Sequence, residues 1–249
     1  MEERITSRKN PLLQQVRKLL VSRKERETQG LYAADGIKLL AEAIRHDPLL
    51  DTVILSEEVN MEIPEHVRVV RVPRDVMESI SPMEAAQGAL FLCRIPEKMA
   101  FVPKPGMLLL DGVQDPGNLG TILRTADALD VPVALLEGCA DAYNPKVVRA
   151  SMGAVFRIPV VKTTWAEALA ACRERDIPVG VTALTDTAKD LRAARLKEMA
   201  VVIGSEGQGV RREILEQVRE TLVIPMNPHC ESLNAAVAAT IVMWEMTDR

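Results

Sequence analysis

The chain has 249 residues and a formal net charge of −4, with 47% hydrophobic and 27% charged residues, the composition of an ordinary soluble globular protein with room for one large domain or two modest ones. Residues 1–30 are polar and charged where a secretory signal would need an apolar core. The longest nearly uninterrupted apolar run, Ala235–Trp244, is about half of the ~20 residues a bilayer span requires, so membrane insertion is excluded and a cytoplasmic location expected.

Cys93, Cys139, Cys172 and Cys230 form no C-x-x-C pair and have no histidine at zinc-ligand spacing except the adjacent His229, so free thiols and no metal site are expected. The acidic balance, with a pI near 5.6, argues against a nucleic-acid partner. Residues 1–30 run the other way. They carry Arg4, Arg8, Lys9, Arg17, Lys18, Arg23, Lys24 and Arg26 against Glu2, Glu3, Glu25 and Glu27, a local excess of four positive charges. A solvated amphipathic helix and a phosphate-contacting arm both fit this stretch.

In chain order, the patterning predicts a helical arm, then a strand at Leu31–Asp35, a helix at Ile37–Arg45, and strands at Leu50–Ser56, Val67–Val72 and Ala89–Ile95. This is a small α/β domain, residues 1–95. Pro96, Pro103, Pro105 and Gly106 mark a linker at 96–106, the densest breaker cluster between two patterned regions. Beyond it, residues 107–249 alternate regularly. Strands are predicted at Met107–Val113, Val131–Leu136, Ile158–Val161, Pro178–Leu184, Ala200–Gly204 and Thr221–Pro225. Helices are predicted at about Leu119–Leu129, Pro145–Met152, Trp165–Arg175, Arg211–Val218 and Ser232–Met246. Strands apolar on both faces and separated by helices indicate a parallel sheet covered on both sides. Ligands in such sheets bind outside the carboxyl ends of the strands, which directs attention to the loops Gln114–Gly120, Gly204–Gly209 and Met226–Ser232.

In the first loop, Pro116-Gly117 makes a tight turn and Asn118 stands where a helix N-cap is expected. Leu119, Ile122, Leu123, Ala126 and Leu129 face the core at helical spacing, leaving Gly120, Arg124 and Asp127 on an adjoining face. An exposed Arg124–Asp127 pair is the structural alternative. The second segment, Gly204-Ser-Glu206-Gly207-Gln-Gly209, is glycine-rich but is neither a dinucleotide fingerprint nor a P-loop. In the third, Glu231-Ser232-Leu233-Asn234 opens a helix apolar around nearly its whole circumference, so it must be buried on more than one side. Capping explains Ser232, while Asn234 inside the first turn would be a poor helix residue. His229 and Cys230 are read as a surface histidine and a core cysteine rather than a nucleophilic pair.

Taken in order, these segments resemble the motifs of the SpoU/TrmH family of RNA ribose 2′-O-methyltransferases, part of the SPOUT superfamily. The first is similar to the family's N-x-G-x-x-x-R element, and Lys146–Pro159, with Ser151-Met-Gly153-Ala, to its S-x-G segment. The second resembles its G-x-E-x-x-G loop, and Ile224-Pro-Met226 followed by Ser232-Leu-Asn234 its last element. Residues 1–95 resemble, more weakly, a ribosomal-protein-like substrate-binding domain. The resemblance implies an α/β catalytic domain with a deep trefoil knot, one of the exceptions to unknotted folds. It implies S-adenosylmethionine as donor, no metal, and a homodimer. It further implies an RNA substrate, with ribosomal RNA favoured over transfer RNA, and a noncatalytic RNA-binding protein of the same fold as the rival reading.

Carried over by position, Gly204, Ile224, Met226 and Leu233 would contact the cofactor. Asn118, Arg124, Glu206, Ser232 and Asn234 would form the catalytic site. The resemblance assigns the ribose proton to Arg124, but a guanidinium is a demanding base: taking its pKa from ~12.5 to ~7 costs about 7 kcal/mol at ~1.36 per unit. Arg124 is therefore expected to hold the target phosphate and stabilise developing alkoxide charge. Asn118 would position Arg124, and Glu206 would orient Asn118 or its loop. Ser232 and Asn234 would complete the pocket. Three departures from the family pattern stand out: Ala235 after Asn234, the cramped Asn227-Pro-His-Cys230 loop, and Asp35 where glutamate is commoner.

Overall fold

The computed structural model describes residues 3–83, 86–185, 187–227, 229–230 and 232–247. The chain forms two compact units, Met1–Glu97 with Asp141–Arg157, and Lys98–Ala140 with Ile158–Arg249. The division begins inside the expected linker. It also takes Asp141–Arg157, a segment expected within the second domain, into the first unit.

The first unit opens with β1 (Glu3–Arg4), α1 (Pro11–Val21) and α2 (Arg23–Gln29). Asn10 caps α1 by accepting from the Leu12 N–H, with Pro11 at the first helical position. Leu12, Leu13, Val16 and Leu19 form its buried stripe, packing with Ile54, Val70, Val76 and Leu90. Ser22 ends α1 and caps α2, which Gly30 terminates at φ 63°. The basic stretch is therefore a packed helix pair. Four of its arginines are ion-paired: Arg4 with Glu57, Arg8 with Asp75, Arg23 with Glu27, and Arg26 with Asp141.

There follow β2 (Leu31–Asp35), α3 (Ile37–His46), β3 (Leu50–Ser56), β4 (Arg68–Val72), α4 (Arg74–Ile80) and β5 (Ala89–Arg94). The strands lie in the order β1-β4-β3-β5-β2. β3 is parallel to β4, and β5 runs antiparallel to both β2 and β3. The predicted strands and helix are present with ends moved by a residue or so. α4 was not anticipated, because seven residues with Val76, Met77 and Ile80 buried give little more than one period of helical signal.

The second unit contains β6 (Met107–Leu110), α5 (Pro116–Leu129) and β7 (Val133–Leu135). The chain then enters α6 (Pro145–Ala150), which packs on β2 in the first unit. It resumes in the second with β8 (Val161–Lys162), α7 (Trp165–Glu174), β9 (Val179–Thr182), β10 (Lys189–Asp190) and β11 (Ala200–Ile203), then α8 (Arg212–Gln217), β12 (Glu220–Val223) and α9 (Ala235–Glu245). Its seven strands, in the order β10-β12-β9-β11-β6-β7-β8, are all paired in parallel, as the doubly apolar strands predicted. Leu109, Val202 and Val181 of adjacent strands pack with Trp165 and Leu169 of α7 and with Ile214 of α8. The two-residue β10 is an edge strand the sequence did not reveal. Parallel pairing brings the carboxyl ends of the strands, and the loops that leave them, to one side of the sheet.

All four cysteines are free thiols. Cys230 is exposed, as is His229, so the expectation of a core cysteine there is corrected. Loop backbone bonds, Cys230 N–H to the Asn227 carbonyl at 2.8 Å and His229 N–H to Asn227 Oδ1 at 3.0 Å, keep both side chains at the surface. No helix of the described residues is long and apolar enough to cross a membrane.

Candidate active site

The three loops converge in the second unit, with two changes from the expected local geometry. Asp115, not Asn118, caps α5: its Oδ1 accepts the Asn118 N–H at 2.8 Å. Pro116 at the first helical position starts the helix three residues earlier than predicted. Asn118 thus lies inside the first turn with its side chain free of capping.

At α9 the reverse holds. Asn234 is the N-cap, its Oδ1 accepting from Ala236 at 2.9 Å and Val237 at 3.2 Å. Ser232 precedes the helix, is exposed, and lines the cavity described below. Asparagine is among the best N-cap residues, which resolves why it stands at an otherwise apolar helix entrance.

These placements bring side chains from all three loops into one chain of hydrogen bonds. Asn234 Nδ2 donates to Asn118 Oδ1 at 2.9 Å, and Asn118 Nδ2 donates to Glu206 Oε1. Because Asn234 Oδ1 is occupied by the α9 amides, only its amide nitrogen is left for Asn118. That direction leaves the Asn118 nitrogen to meet the carboxylate. The polarity of the whole chain follows from one helix cap.

The glycine-rich loop folds back on itself. Ser205 N–H donates to the Gly209 carbonyl at 3.0 Å and Gly209 N–H returns to Ser205 at 2.9 Å. Gly209 has φ 66°, a left-handed conformation that favours glycine. A Cβ on Gly204 would overlap the Gly209 carbonyl carbon and the Val210 nitrogen, so this position requires glycine for a close backbone approach. Glu206 stands exposed on the tip.

Behind the tip lies a cavity of about 340 Å³. Gly204, Ile224, Met226 and Leu233, the expected cofactor contacts, all line it, as do Glu206 and Ser232. The wall completed by Thr182 and Leu184 was missed, although it continues from the carboxyl end of β9. The neighbourhood rule for parallel sheets could have found it. No lysine or arginine lines the cavity, and Glu206 is its one charged lining residue among the described residues.

Arg124 is exposed on α5 and makes no hydrogen bond or ion pair with any described residue. The alternative of an Arg124–Asp127 pair is thereby removed. No hydrogen bond joins Asn118 to Arg124 either. Six residues apart on a helix with a period of 3.6, they lie on different faces, so Asn118 organises the loops rather than the guanidinium.

A second network, not foreseen, fixes the far end of the glycine-rich loop. Asp111, buried at the end of β6, accepts Arg211 N–H at 2.8 Å and Arg211 Nε at 2.6 Å. Arg211 Nη2 also donates to Glu137 at 2.8 Å. Burial opposes ionisation of Glu137, but backbone N–H groups, including that of Trp165, and the Arg211 guanidinium outweigh it and hold its carboxyl below the ordinary value. Among the described residues no cluster of three or more His, Cys, Asp or Glu could hold a metal ion.

A parallel sheet with a glycine-rich, cation-free cavity at the carboxyl ends of its strands, and an Asn–Asn–Glu chain from three loops that reaches the cavity through Glu206, defines a SPOUT-type methyltransferase fold. The model of the SpoU rRNA methylase family matches residues 105–244, and that of an MRM3-like substrate-binding domain matches residues 10–90. The chain belongs to the SpoU rRNA methylase family.

It is 32% identical over 98% of its length, and 99% of the relative's, to the 23S rRNA (guanosine(2553)-2′-O)-methyltransferase RlmP of Bacillus subtilis. Among solved structures it resembles a TrmH-family protein of Porphyromonas gingivalis, with 33% identity, coverage of 94% and 96% of the two chains, and a TM-score of 0.83. It also resembles an AdoMet-bound rRNA methyltransferase of Sinorhizobium meliloti, with 26% identity, coverage of 98% and 97%, and a TM-score of 0.86.

Proposed function

We propose that this protein transfers a methyl group from S-adenosylmethionine to a ribose 2′-hydroxyl of ribosomal RNA. The observation that carries the reading is the cavity's chemistry. Its volume of about 340 Å³ falls within the ~300–1,000 Å³ of small-molecule sites. Its walls are mainly apolar side chains and glycine-rich loop, with the neutral polar residues Thr182, Ser205, Gln208 and Ser232, one carboxylate and no cation. A phosphate-bearing nucleotide would lack a counter-charge there, whereas a cationic sulfonium attached to a neutral adenosine suits it.

The donor supplies an activated methyl group for in-line displacement, chemistry that needs no metal. The residues of this chain bind, orient and stabilise. Gly204 admits the backbone of its own loop close to the cavity wall, and Ile224, Met226 and Leu233 furnish apolar contact. Asn118 ties Glu206 to the α9 cap, so the glycine-rich and C-terminal loops keep one geometry. Preorganisation of this kind contributes through avoided entropy loss. Arg124, uncommitted within the described residues, supplies a guanidinium to an RNA phosphate and to charge developing on the attacking oxygen. Ser232 completes the polar rim.

The division of labour we propose is RNA substrate binding by residues 1–95 and methyl transfer by residues 107–249. The substrate-binding family model over residues 10–90 and the ribosomal RNA substrate in the name of the Bacillus relative support it. The SPOUT trefoil knot, a homodimer and a cytoplasmic location complete the reading. Val237 and Trp244 of α9, 48% and 54% exposed, supply an apolar surface suited to a second copy.

The test is methyl transfer from radiolabelled S-adenosylmethionine to ribosomal and transfer RNA, with 2′-O-methyl positions mapped. Label in ribosomal RNA is expected, and label in neither RNA refutes the reading. Asn118→Ala and Arg124→Ala should bind the donor nearly normally yet lose methylation. Near-normal turnover of Arg124→Lys would overturn the assigned role of the guanidinium.

A further inference from the structure

The Lys146–Pro159 segment takes no part in the cavity of the second unit. Its portion up to Arg157 folds into the first unit. There the turn at Ser151–Gly153 stands against α3: a Cβ on Gly153 would come within 3.0 Å of Glu42 Cβ. Met152 is held at φ 50°, a left-handed conformation costly for a long side chain, and is nonetheless 49% exposed. An apolar side chain kept in solvent by a strained backbone calls for an explanation beyond packing.

Met152 lines a cleft of about 580 Å³ together with Met83 and one face of α3. That face presents Lys38, Ala41, Glu42 and Arg45, spaced i, i+3, i+4, i+7 and so aligned along the helix. Lys38 is exposed and has no partner among the described residues. Arg45 Nη1 lies 3.4 Å from Glu42 Oε1, while Arg157 holds the other oxygen, Oε2, at 2.5 Å. The second carboxylate, Asp35, is 6% exposed and held by Arg149 at 2.8 Å. Both acidic groups are thus neutralised by arginines of the Lys146–Pro159 segment, and Lys38 and Arg45 leave the cleft with uncompensated positive charge. Gly36, the N-cap of α3, adds no side-chain cap to the first-turn amides.

We propose that this cleft is a subsite for one unpaired nucleotide of the RNA, with Lys38 and Arg45 on its phosphate and Met83 and Met152 against its base. Unpaired bases are recognised by apolar or planar contact together with cations on the backbone, and both features lie here on one small surface. This rests on the reading that RNA is the substrate. It assigns the S-x-G turn to substrate recognition, separate from the donor cavity.

The test uses the full-length protein and an in vitro transcript of 23S ribosomal RNA as probe. Transcript affinity is measured against NaCl concentration, and donor affinity by calorimetry. Lys38→Ala with Arg45→Ala should weaken transcript binding by about tenfold and lower the magnitude of the salt slope by about 0.7 for each phosphate no longer neutralised. Met152→Gly, which also relieves the φ, should weaken binding by about fivefold with the salt slope unchanged. Donor affinity should stay the same in every variant.

Unchanged transcript affinity and slope in the Lys38/Arg45 variant would overturn the subsite, as would a wild type that binds no transcript. A wild type that binds but methylates no RNA, with the variants weakened as stated, would strike the proposed activity and support the subsite. A methylating wild type with variants that bind normally would strike the subsite alone.

Discussion

Replacing Arg26 with leucine removes one half of a buried ion pair, and the structure sets the size of the effect. The Arg26 and Asp141 side chains are 2% and 7% exposed, with Nε and Oδ2 2.8 Å apart. Arg26 Nη1 also donates to the Leu19 carbonyl at 2.6 Å, and Asp141 Oδ1 accepts the Tyr143 N–H at 3.1 Å. Leucine fills much of the volume but strands a carboxylate with one weak donor. Breaking a buried pair in this way costs about 3–5 kcal/mol, a large part of the ~5–15 kcal/mol that holds a typical domain.

Removing both charges in Arg26→Leu/Asp141→Asn should recover most of that deficit. Asparagine keeps an acceptor for Tyr143 and leaves no ion in the interior. The two units carry separate probes: Tyr32 and Tyr143, with ring centroids 4.9 Å apart, lie in the first, and Trp165 and Trp244 in the second. Urea unfolding followed by tyrosine near-ultraviolet dichroism should show the destabilisation, while tryptophan fluorescence excited at long wavelength reports the second unit. An Arg26→Leu change below about 1 kcal/mol in the tyrosine transition, or a double variant no better than the sum of the singles, would refute the assignment. A confirmed deficit would show that this pair pins Asp141, where the chain enters the segment bearing Met152.

Gly204→Ala places a methyl group on the Gly209–Val210 backbone. Overpacking of about 1–3 kcal/mol should weaken S-adenosylmethionine binding by about ten- to a hundredfold, and wild-type affinity by calorimetry would contradict the geometry. The Glu137 carboxyl, held below its ordinary value in the folded state, contributes stability above the unfolded pKa of about 4.3. That contribution is lost as pH falls through the lower folded value. Urea midpoints from tryptophan fluorescence should therefore separate wild type from Arg211→Leu most at neutral pH and least in acid; a separation constant from pH 7 to pH 3 would show that Glu137 is not the linked group.

Periodicity and residue type determined much of this protein directly. Runs such as Met107–Leu110 and Ala200–Ile203 are apolar at every position, so they had to be strands covered on both faces, and alternation with helices made the sheet parallel. The glycine-rich loop and the unusual entrance to α9 pointed to the right end of the sheet, because polar or glycine residues at apolar boundaries have no packing reason to be there. The resemblance to known motifs then named Gly204, Glu206, Ile224, Met226, Ser232 and Leu233, which line the cavity. Tertiary structure alone decided the rest. Whether Asn118 or Asp115 caps α5 depends on competition between neighbouring side chains for the same amides, and Asn234 became a cap because its helix starts three residues later than its apolar pattern suggested. The Asn234–Asn118–Glu206 chain spans residues 88 and 116 positions apart, a distance no local pattern reports. Asp141–Arg157 joins the first unit through Arg26, Asp35 and Glu42, buried or half-buried partners more than 100 residues upstream; local propensity could make α6 a helix, but only long-range charge pairing could choose its neighbours.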